Sequence, residues 1–256
     1  MKVEAPGPLW GLRRFPVLAD LPDAPLHALA GASVSRQVSR GTILHVPGER
    51  ADEVYCLHGG RVSSLWEHGE SRTISIGDFG PGDIFGESCL WMAAGANWDD
   101  TAVTTSPALL TIVPRIVFRR LLDEHPAVER AVVAQSVAHQ DATRRRLCDA
   151  LSLSLRARVV GQLLRLAEAG RDTPQGRKFT IMRQRELAAL VVCTRESAAL
   201  ALRALEDERL IVRAGRELIV PDLDRLRAAA HERPSQASNV LPFSRLPSPS
   251  RAASAP

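Results

Sequence analysis

RQRELAALVVCTRESAALALR, from Arg183 to Arg203, reads as two short helices joined by a tight break. Leu187, Ala188, Leu190 and Val191 form an apolar face on the first, and Ala198, Ala201, Leu202 and Leu205 form one on the second. Those spacings fit a helical period. Val192-Cys193-Thr194 lies between them. Thr194 suits the N-cap of the second helix, because its hydroxyl can accept a free backbone N–H. Arg195 and Glu196 then point away from the apolar face. Arg matches guanine O6 and N7 bidentately, and a carboxylate accepts from cytosine N4. In a helix-turn-helix the N-terminal end of the second helix meets the bases. A helical hairpin with a solvated charge pair has the same local pattern.

The flank decides between them. LIVRAGRELIV, from Leu210 to Val220, is two β-prone apolar runs around an Ala-Gly-Arg turn. That is a hairpin, and a helix-turn-helix followed by a hairpin is a winged helix.

The 256 residues leave room for two domains, and a hydrophobic content of 45% supports real cores. MKVEAPGPLW has no apolar core of a signal peptide, and no apolar run reaches the length of a membrane span. A cytoplasmic protein with no membrane partner is expected. Cys56, Cys89, Cys148 and Cys193 are scattered without a CxxC pair, as buried thiols in a reducing compartment are. Charge is uneven. Residues 1–125 hold 11 Lys+Arg against 15 Asp+Glu, a net −4, whereas residues 126–256 hold 22 against 14, a net +8. The basic half contains the helix-turn-helix, and Lys and Arg release the counterions condensed on a phosphate backbone.

Leu9 to Ala30 reads as short helical pieces broken by Pro16, Pro22 and Pro25. From Arg40 to Val113, β-prone runs (Thr42–Val46, Val54–Leu57, Arg61–Trp66, Arg72–Ile76, Ala102–Thr105, Leu109–Val113) alternate with turns. Ten of the 17 glycines fall between Gly41 and Gly95. Turns are expected at Pro47-Gly48, Gly59-Gly60, His68-Gly69 and Pro81-Gly82-Asp83. Regular short strands at this spacing predict an antiparallel barrel or roll. Helices follow at Arg115–Asp123, Ala127 to about Ser152, Arg156–Ala169 and Asp222–Ala230, with Arg171–Gly176 as a loop. The long helix carries Val128, Ala131, Val132, Ala134, Val137 and Ala138, small residues that suit a close dimer seam. Packing on its own barrel is the rival reading. From His231 onward the Pro/Ser-rich chain reads as a disordered tail.

A roll, a long helix and a winged helix in this order resemble the Crp/Fnr family of bacterial regulators, over roughly Leu12 to Ala230. Pro81-Gly82-Asp83-Ile84-Phe85-Gly86-Glu87 looks like the opening of the family's phosphate-binding cassette. Cys193-Thr194-Arg195-Glu196-Ser197 looks like the start of its recognition helix, and Leu205-Glu206-Asp207-Glu208-Arg209-Leu210-Ile211 like the exit into the wing. The resemblance implies an α+β chain: a cyclic-nucleotide-binding-like roll at 1–124, a dimerisation helix and hinge at 125–155, a winged helix-turn-helix at 156–230 and the tail at 231–256. It further implies a homodimer on a palindromic double-stranded DNA site, with RNA polymerase as a further partner. The implied base-reading end is Thr194, Arg195 and Glu196, with Arg183, Arg185 and Arg203 on phosphates.

The departures concern the effector. Gly86 and Glu87 are retained. The Arg-Ser pair that holds the cyclic phosphate in cyclic-AMP-binding members aligns with Asp100-Thr101. The residue facing the adenine is kept as Thr143, and its neighbour is Arg144. From Thr73 to Pro114 there is no Lys or Arg, while Asp78, Asp83, Glu87, Asp99 and Asp100 are all acidic. No cofactor is expected, and cyclic AMP is not the expected switch. Only a cation from outside, such as Arg72 or Arg144, could replace the missing Arg. The segment Trp91–Asp99 is longer than the family pattern. In the DNA-reading helix, Leu200 replaces a third base-reading Arg. Val192 replaces the usual turn glycine, so a different turn geometry is expected. Arg144-Arg145-Arg146 reads as a solvated face, with an anion clamp as the rival.

Other classes fit less well. A cupin-like metalloenzyme needs clustered ligands, but His45, His58 and His68 lie on separate segments. No nucleophile elbow or P-loop is present, so no enzyme is expected. The iron–sulfur type needs an N-terminal cysteine cluster, and the first cysteine is Cys56. A haem-based sensor needs only one or two axial ligands, for which His45, His58, His68 and His139 are the candidates. A cyclic-nucleotide-activated regulator of the same family is the other alternative.

Overall fold

The computed structural model describes residues 8–68, 72–215 and 217–230, with the side chains of residues 8–10, 68 and 72 left aside. The expected turn at His68-Gly69, the tail from His231 and the tip of the wing at Arg216 fall wholly or partly outside these residues.

Helices α1 (Pro8–Arg13) and α2 (Asp23–Gly31) lead into two facing four-stranded sheets. One joins β1 (Val34–Val38), β8 (Ala108–Pro114), β3 (Glu53–Gly59) and β6 (Ile84–Phe85) in that order. The other joins β2 (Ile43–His45), β7 (Thr101–Thr104), β4 (Val62–His68) and β5 (Arg72–Phe79). All pairings are antiparallel. The six β-prone runs expected from sequence are all strands. Two strands escaped that reading for physical reasons. β1 buries no side chain fully, so it lacks alternation, and β6 has only two residues. Gly60 closes the turn between β3 and β4 at φ +92, where a Cβ would lie 2.3 Å from the Pro107 carbonyl oxygen, so a side chain has no room there.

The roll core is aromatic at its centre. Tyr55 stacks on Phe85 and Phe85 on Phe79, each at 4.9 Å. Leu12, Leu18, Leu26 and Leu29 seal one end with Phe118 and Leu122 of α3 (Arg115–Glu124). Each such buried side chain contributes about 1.5–3 kcal/mol of transfer free energy.

Helix α4 (Pro126–Ser152) answers the seam question by facing two ways. Val128 and Val132 are buried in the roll core, so this part of the expected seam is corrected: it belongs to the barrel. Val133, Val137, Leu147 and Leu151 are exposed. With Gln140 and Arg144 they form a stripe spaced 4-3-4-3-4, the register of a heptad seam.

The second core lies under α5 (Leu155–Glu168), α6 (Gln184–Val191), α7 (Arg195–Asp207) and α8 (Leu223–Ala229). The expected loop Arg171–Gly176 is instead a hairpin, β9 (Arg171–Thr173) and β10 (Gly176–Thr180). It extends the wing strands β11 (Val212–Ala214) and β12 (Glu217–Val220) into a sheet ordered β11-β12-β10-β9. β9 is short and polar and forms only because β10 offers its edge. The two domains touch, because α6 packs on β5 and Arg40 pairs with Glu186.

Candidate DNA-reading helix and effector pocket

α6 and α7 are the two helices of the expected helix-turn-helix. Thr194 caps α7, its Oγ1 accepting from the Ser197 N–H at 3.2 Å. Ala198, Leu202 and Leu205 face the core, whereas Arg195, Glu196, Leu200 and Arg203 are exposed. Among the described residues no ion pair engages Arg183, Arg185, Arg195 or Arg203. These side chains stay free to meet an external partner. Glu186 accepts from the Arg183 backbone N–H at 3.0 Å and fixes the start of α6. Arg213 and Glu206, 2.7 Å apart, tie the wing to α7.

The turn differs from expectation. Val192 adopts the left-handed conformation, φ 55 and ψ 64, that a glycine would have adopted. A β-branched residue there costs about 1–2 kcal/mol, and surrounding bonds hold it in place. The Cys193 N–H donates to the Ala188 carbonyl at 3.0 Å. Arg158 Nη1 donates to the Val191 and Val192 carbonyls at 2.7 and 3.2 Å. Arg158 was not singled out in the sequence. Its role comes from α5 crossing behind the turn, which no local pattern records.

In the roll, Gly86 sits at φ +74, and a Cβ there would lie 3.0 Å from Tyr55 and 3.3 Å from Trp98. Trp98, within the long Trp91–Asp99 segment, stacks on His45 at 4.2 Å. His45 Nε2 lies 3.2 Å from Asp100 Oδ1, and the Ser64 hydroxyl donates to Asp100 Oδ2. Asp100 is buried. Burial pushes its carboxyl up, but the hydrogen bonds from His45 and Ser64 outweigh this and hold it below the usual carboxylate range. Asp100 is thus an internally satisfied anion. Neither His45 nor Ser64 stood out as its partner, since each lies on a distant strand. Thr101 begins β7 opposite Leu65.

The remaining expected pocket residues are engaged elsewhere. Thr143 Oγ1 donates to the Ile76 carbonyl at 2.7 Å, stitching α4 to β5. Arg144 and Arg145 both clamp Asp141 on the helix surface. The solvated-face reading therefore holds for those two and fails for Arg146, which turns inward to Thr143 Oγ1 at 3.0 Å. Glu87 is buried at the start of a 3-10 turn, Glu87–Leu90. Beside it His139 pairs with Asp83 at 3.5 Å. The hydrogen bond to Asp83 raises the His139 pKa against desolvation, and the charges of Asp83 and Glu87 add to the rise. His58 Nε2 lies 2.7 Å from Thr111 Oγ1. Three of the four histidines weighed as haem ligands thus have internal partners, and the His68 side chain lies outside the described residues. Cys56 and Cys89 are buried as expected, and burial pushes each thiol up to about 12. Cys148, expected buried, is exposed on α4.

A cyclic nucleotide-binding domain family matches residues 35–125, and a Crp-like helix-turn-helix domain family matches residues 157–229. The chain belongs to the Crp/Fnr family. This Crp/Fnr regulator is 27% identical over 194 residues to the cAMP-activated global transcriptional regulator CRP of Pasteurella multocida, covering 75% of this chain and 91% of that protein. It is 26% identical over 196 residues to the cAMP-activated regulator Vfr of Pseudomonas aeruginosa, with the same coverages of 75% and 91%. Among solved structures, a CRP-family regulator from Thermus thermophilus matches with a TM-score of 0.66 at 27% identity, over 76% of this chain and 96% of that one. CLP from Xanthomonas campestris, described as c-di-GMP responsive, shares the fold with a TM-score of 0.70 at 23% identity, over 78% of this chain and all of that one. These relatives are regulators of transcription. Among the described residues no helix is long and apolar enough to cross a membrane.

Proposed function

We propose that this Crp/Fnr regulator is a homodimer that binds a palindromic DNA site and does so without cyclic AMP as its switch. The observation that carries this reading is Asp100: a buried carboxylate, satisfied by His45 and Ser64, at the position aligned with the cation that grips the cyclic phosphate. An Arg supplies charge and a fork of donors matched to phosphate oxygens. At ~4 Å and an effective dielectric near 20, one unit-charge contact is worth about 4 kcal/mol. Replacing attraction with repulsion moves affinity by several powers of ten. Arg144, the described cation that stood as a substitute, is held by Asp141.

The outward stripe of α4 supports a two-fold seam, and a two-fold protein reads a two-fold site. The exposed, unpaired Arg195 and Glu196 support base reading from the start of α7, with Arg183, Arg185 and Arg203 on the phosphates. RNA polymerase is the further partner that a regulator of this kind engages. Calorimetric titration of cyclic AMP and cyclic GMP, with DNA binding measured in parallel, tests the proposal. Tight DNA binding without either nucleotide is expected. Micromolar cyclic AMP affinity coupled to tighter DNA binding would overturn it. The two cAMP-activated relatives make that outcome the second reading.

A further inference from the structure

A cavity of about 40 Å³ lies where the end of α4, the middle of α5 and the C-terminal end of α6 meet. Arg146 and Asp149 line it from α4, Arg158, Gly161 and Arg165 from α5, and Val191 from α6, and the rest of the lining is aliphatic. Three guanidiniums against one carboxylate leave a formal charge of +2.

No ion pair among the described residues neutralises that charge. Among the described residues none of the three arginines forms an ion pair. Arg165 donates twice to Gln162 Oε1, and Arg158 Nη1 donates to the carbonyls of Val191 and Val192. The buried Nε of Arg146 and the buried Nε of Arg158 have no hydrogen-bond partner, although a guanidinium carries five donors and buried donors are nearly always satisfied. Burial lowers the pKa of Arg146, the carboxylate of Asp78 opposes the fall, and the charge of Arg165 adds to it.

Gly161 is the second observation. It sits in the middle of α5, where glycine is the poorest helix former after proline. Packing does not ask for it, since an added Cβ would meet nothing within 4 Å. A local choice that weakens the helix without a packing reason points to function. Here it lines the cavity, where a larger side chain would enter the open space.

We propose that this cavity binds a small dianionic oxyanion of the phosphoryl or sulfate class. A buried water needs roughly 10–15 Å³ on this measure, so the space corresponds to a few such sites, as a tetrahedral oxyanion requires. The occupant draws together groups from both domains. Arg146 reaches toward Ser75 of β5 at 3.5 Å, and Arg158 supports the turn before the DNA-reading helix. The anion therefore braces the hinge, and a cell's supply of it sets how firmly α7 is held against the roll.

The test is direct binding and does not depend on DNA recognition. The full-length protein in chloride buffer is titrated by calorimetry with inorganic phosphate, inorganic sulfate and ribose 5-phosphate. One anion per chain is expected. Arg165→Gln, at an exposed position, weakens it about tenfold or more. Gly161→Asp abolishes it by placing a carboxylate in the cavity, and Gly161→Ala retains it, with thermal unfolding showing that each variant is folded. Binding of phosphate and sulfate without the ester assigns the site to a free anion. Binding of the ester as well assigns it to a phosphorylated metabolite. No binding of any of the three, or binding undiminished in folded Gly161→Asp, overturns the proposal.

Discussion

Asp100 and His45, 55 positions apart in the chain, meet at 3.2 Å in the interior of the roll. The imidazole is stacked on Trp98 and the second carboxylate oxygen accepts from Ser64. Removing one partner of a buried hydrogen-bonded pair costs more than the bond itself, because the survivor stays desolvated. His45→Leu is therefore expected to destabilise the protein by about 3–5 kcal/mol and Ser64→Ala by about 1–3 kcal/mol, measured by urea unfolding. Equal stability of His45→Leu and the unaltered protein would show that the pair is idle.

Because the Asp100 pKa is depressed on folding, its contribution is present above the unfolded carboxylate pKa and is lost as pH falls through the folded value. His139 works the other way. Its pKa is raised, so its contribution is complete below about pH 6.5, the ordinary histidine value, and fades as pH rises through the folded value. The docking of α4 on the Gly82–Ile84 turn should loosen over that upper range. Hydrogen exchange at Ile84, whose N–H donates to Gln135 at 3.1 Å, is the readout after correction for intrinsic rates. His139→Gln is expected to remove the pH dependence.

Val192 stores strain where glycine is free of it. Val192→Gly relieves an αL penalty of about 1–2 kcal/mol and adds unfolded-chain entropy of about 0.5–1 kcal/mol. A net gain of up to about 1 kcal/mol is expected, seen as a higher urea midpoint at constant slope. A loss would mean that the Val side chain packs better than its half-buried position suggests.

Arg195 and Arg203 should fail differently. Arg195→Ala is expected to cost ~1–3 kcal/mol on the preferred site and to relax preference at one base pair. Arg203→Ala should weaken all sequences alike and reduce the salt slope by about one. Leu200, exposed at 65%, cannot donate to a base, so the third position of each half-site should be loosely constrained. Half-sites are expected about 34–36 Å apart. Selection of sites from a random pool, repeated across salt, checks all of these.

The outward stripe of α4 predicts where the dimer breaks. Val137→Glu and Leu147→Glu each place a charge in the seam, and both positions are more than half exposed in the single chain. Each should therefore leave the monomer folded. Sedimentation should show a dimer for the unaltered chain at micromolar concentration and a monomer for the variants. A monomeric unaltered protein would remove the two-fold reading.

Local chemistry alone determined a good deal of this protein. The apolar faces of α6 and α7, the Thr194 cap and the β-prone run after Leu210 are short-range patterns, and each formed where its pattern lies. The strands between Arg40 and Val113 were legible for the same reason, with glycines and prolines marking their turns. What only the tertiary structure decided involves partners far apart in sequence. The strand β9 exists because β10 pairs with it. Val128 and Val132 turned inward because the roll lies beneath that side of α4, while the same helix left Val137 and Leu147 outside. Val192 took the left-handed turn because Arg158 and the Ala188 carbonyl hold it there. An acidic residue in the cassette could be read from the chain, but its satisfaction by His45 and Ser64 could not. Periodicity reports which face of an element is apolar, whereas the packing of the other elements decides what covers that face and which buried charge finds a partner.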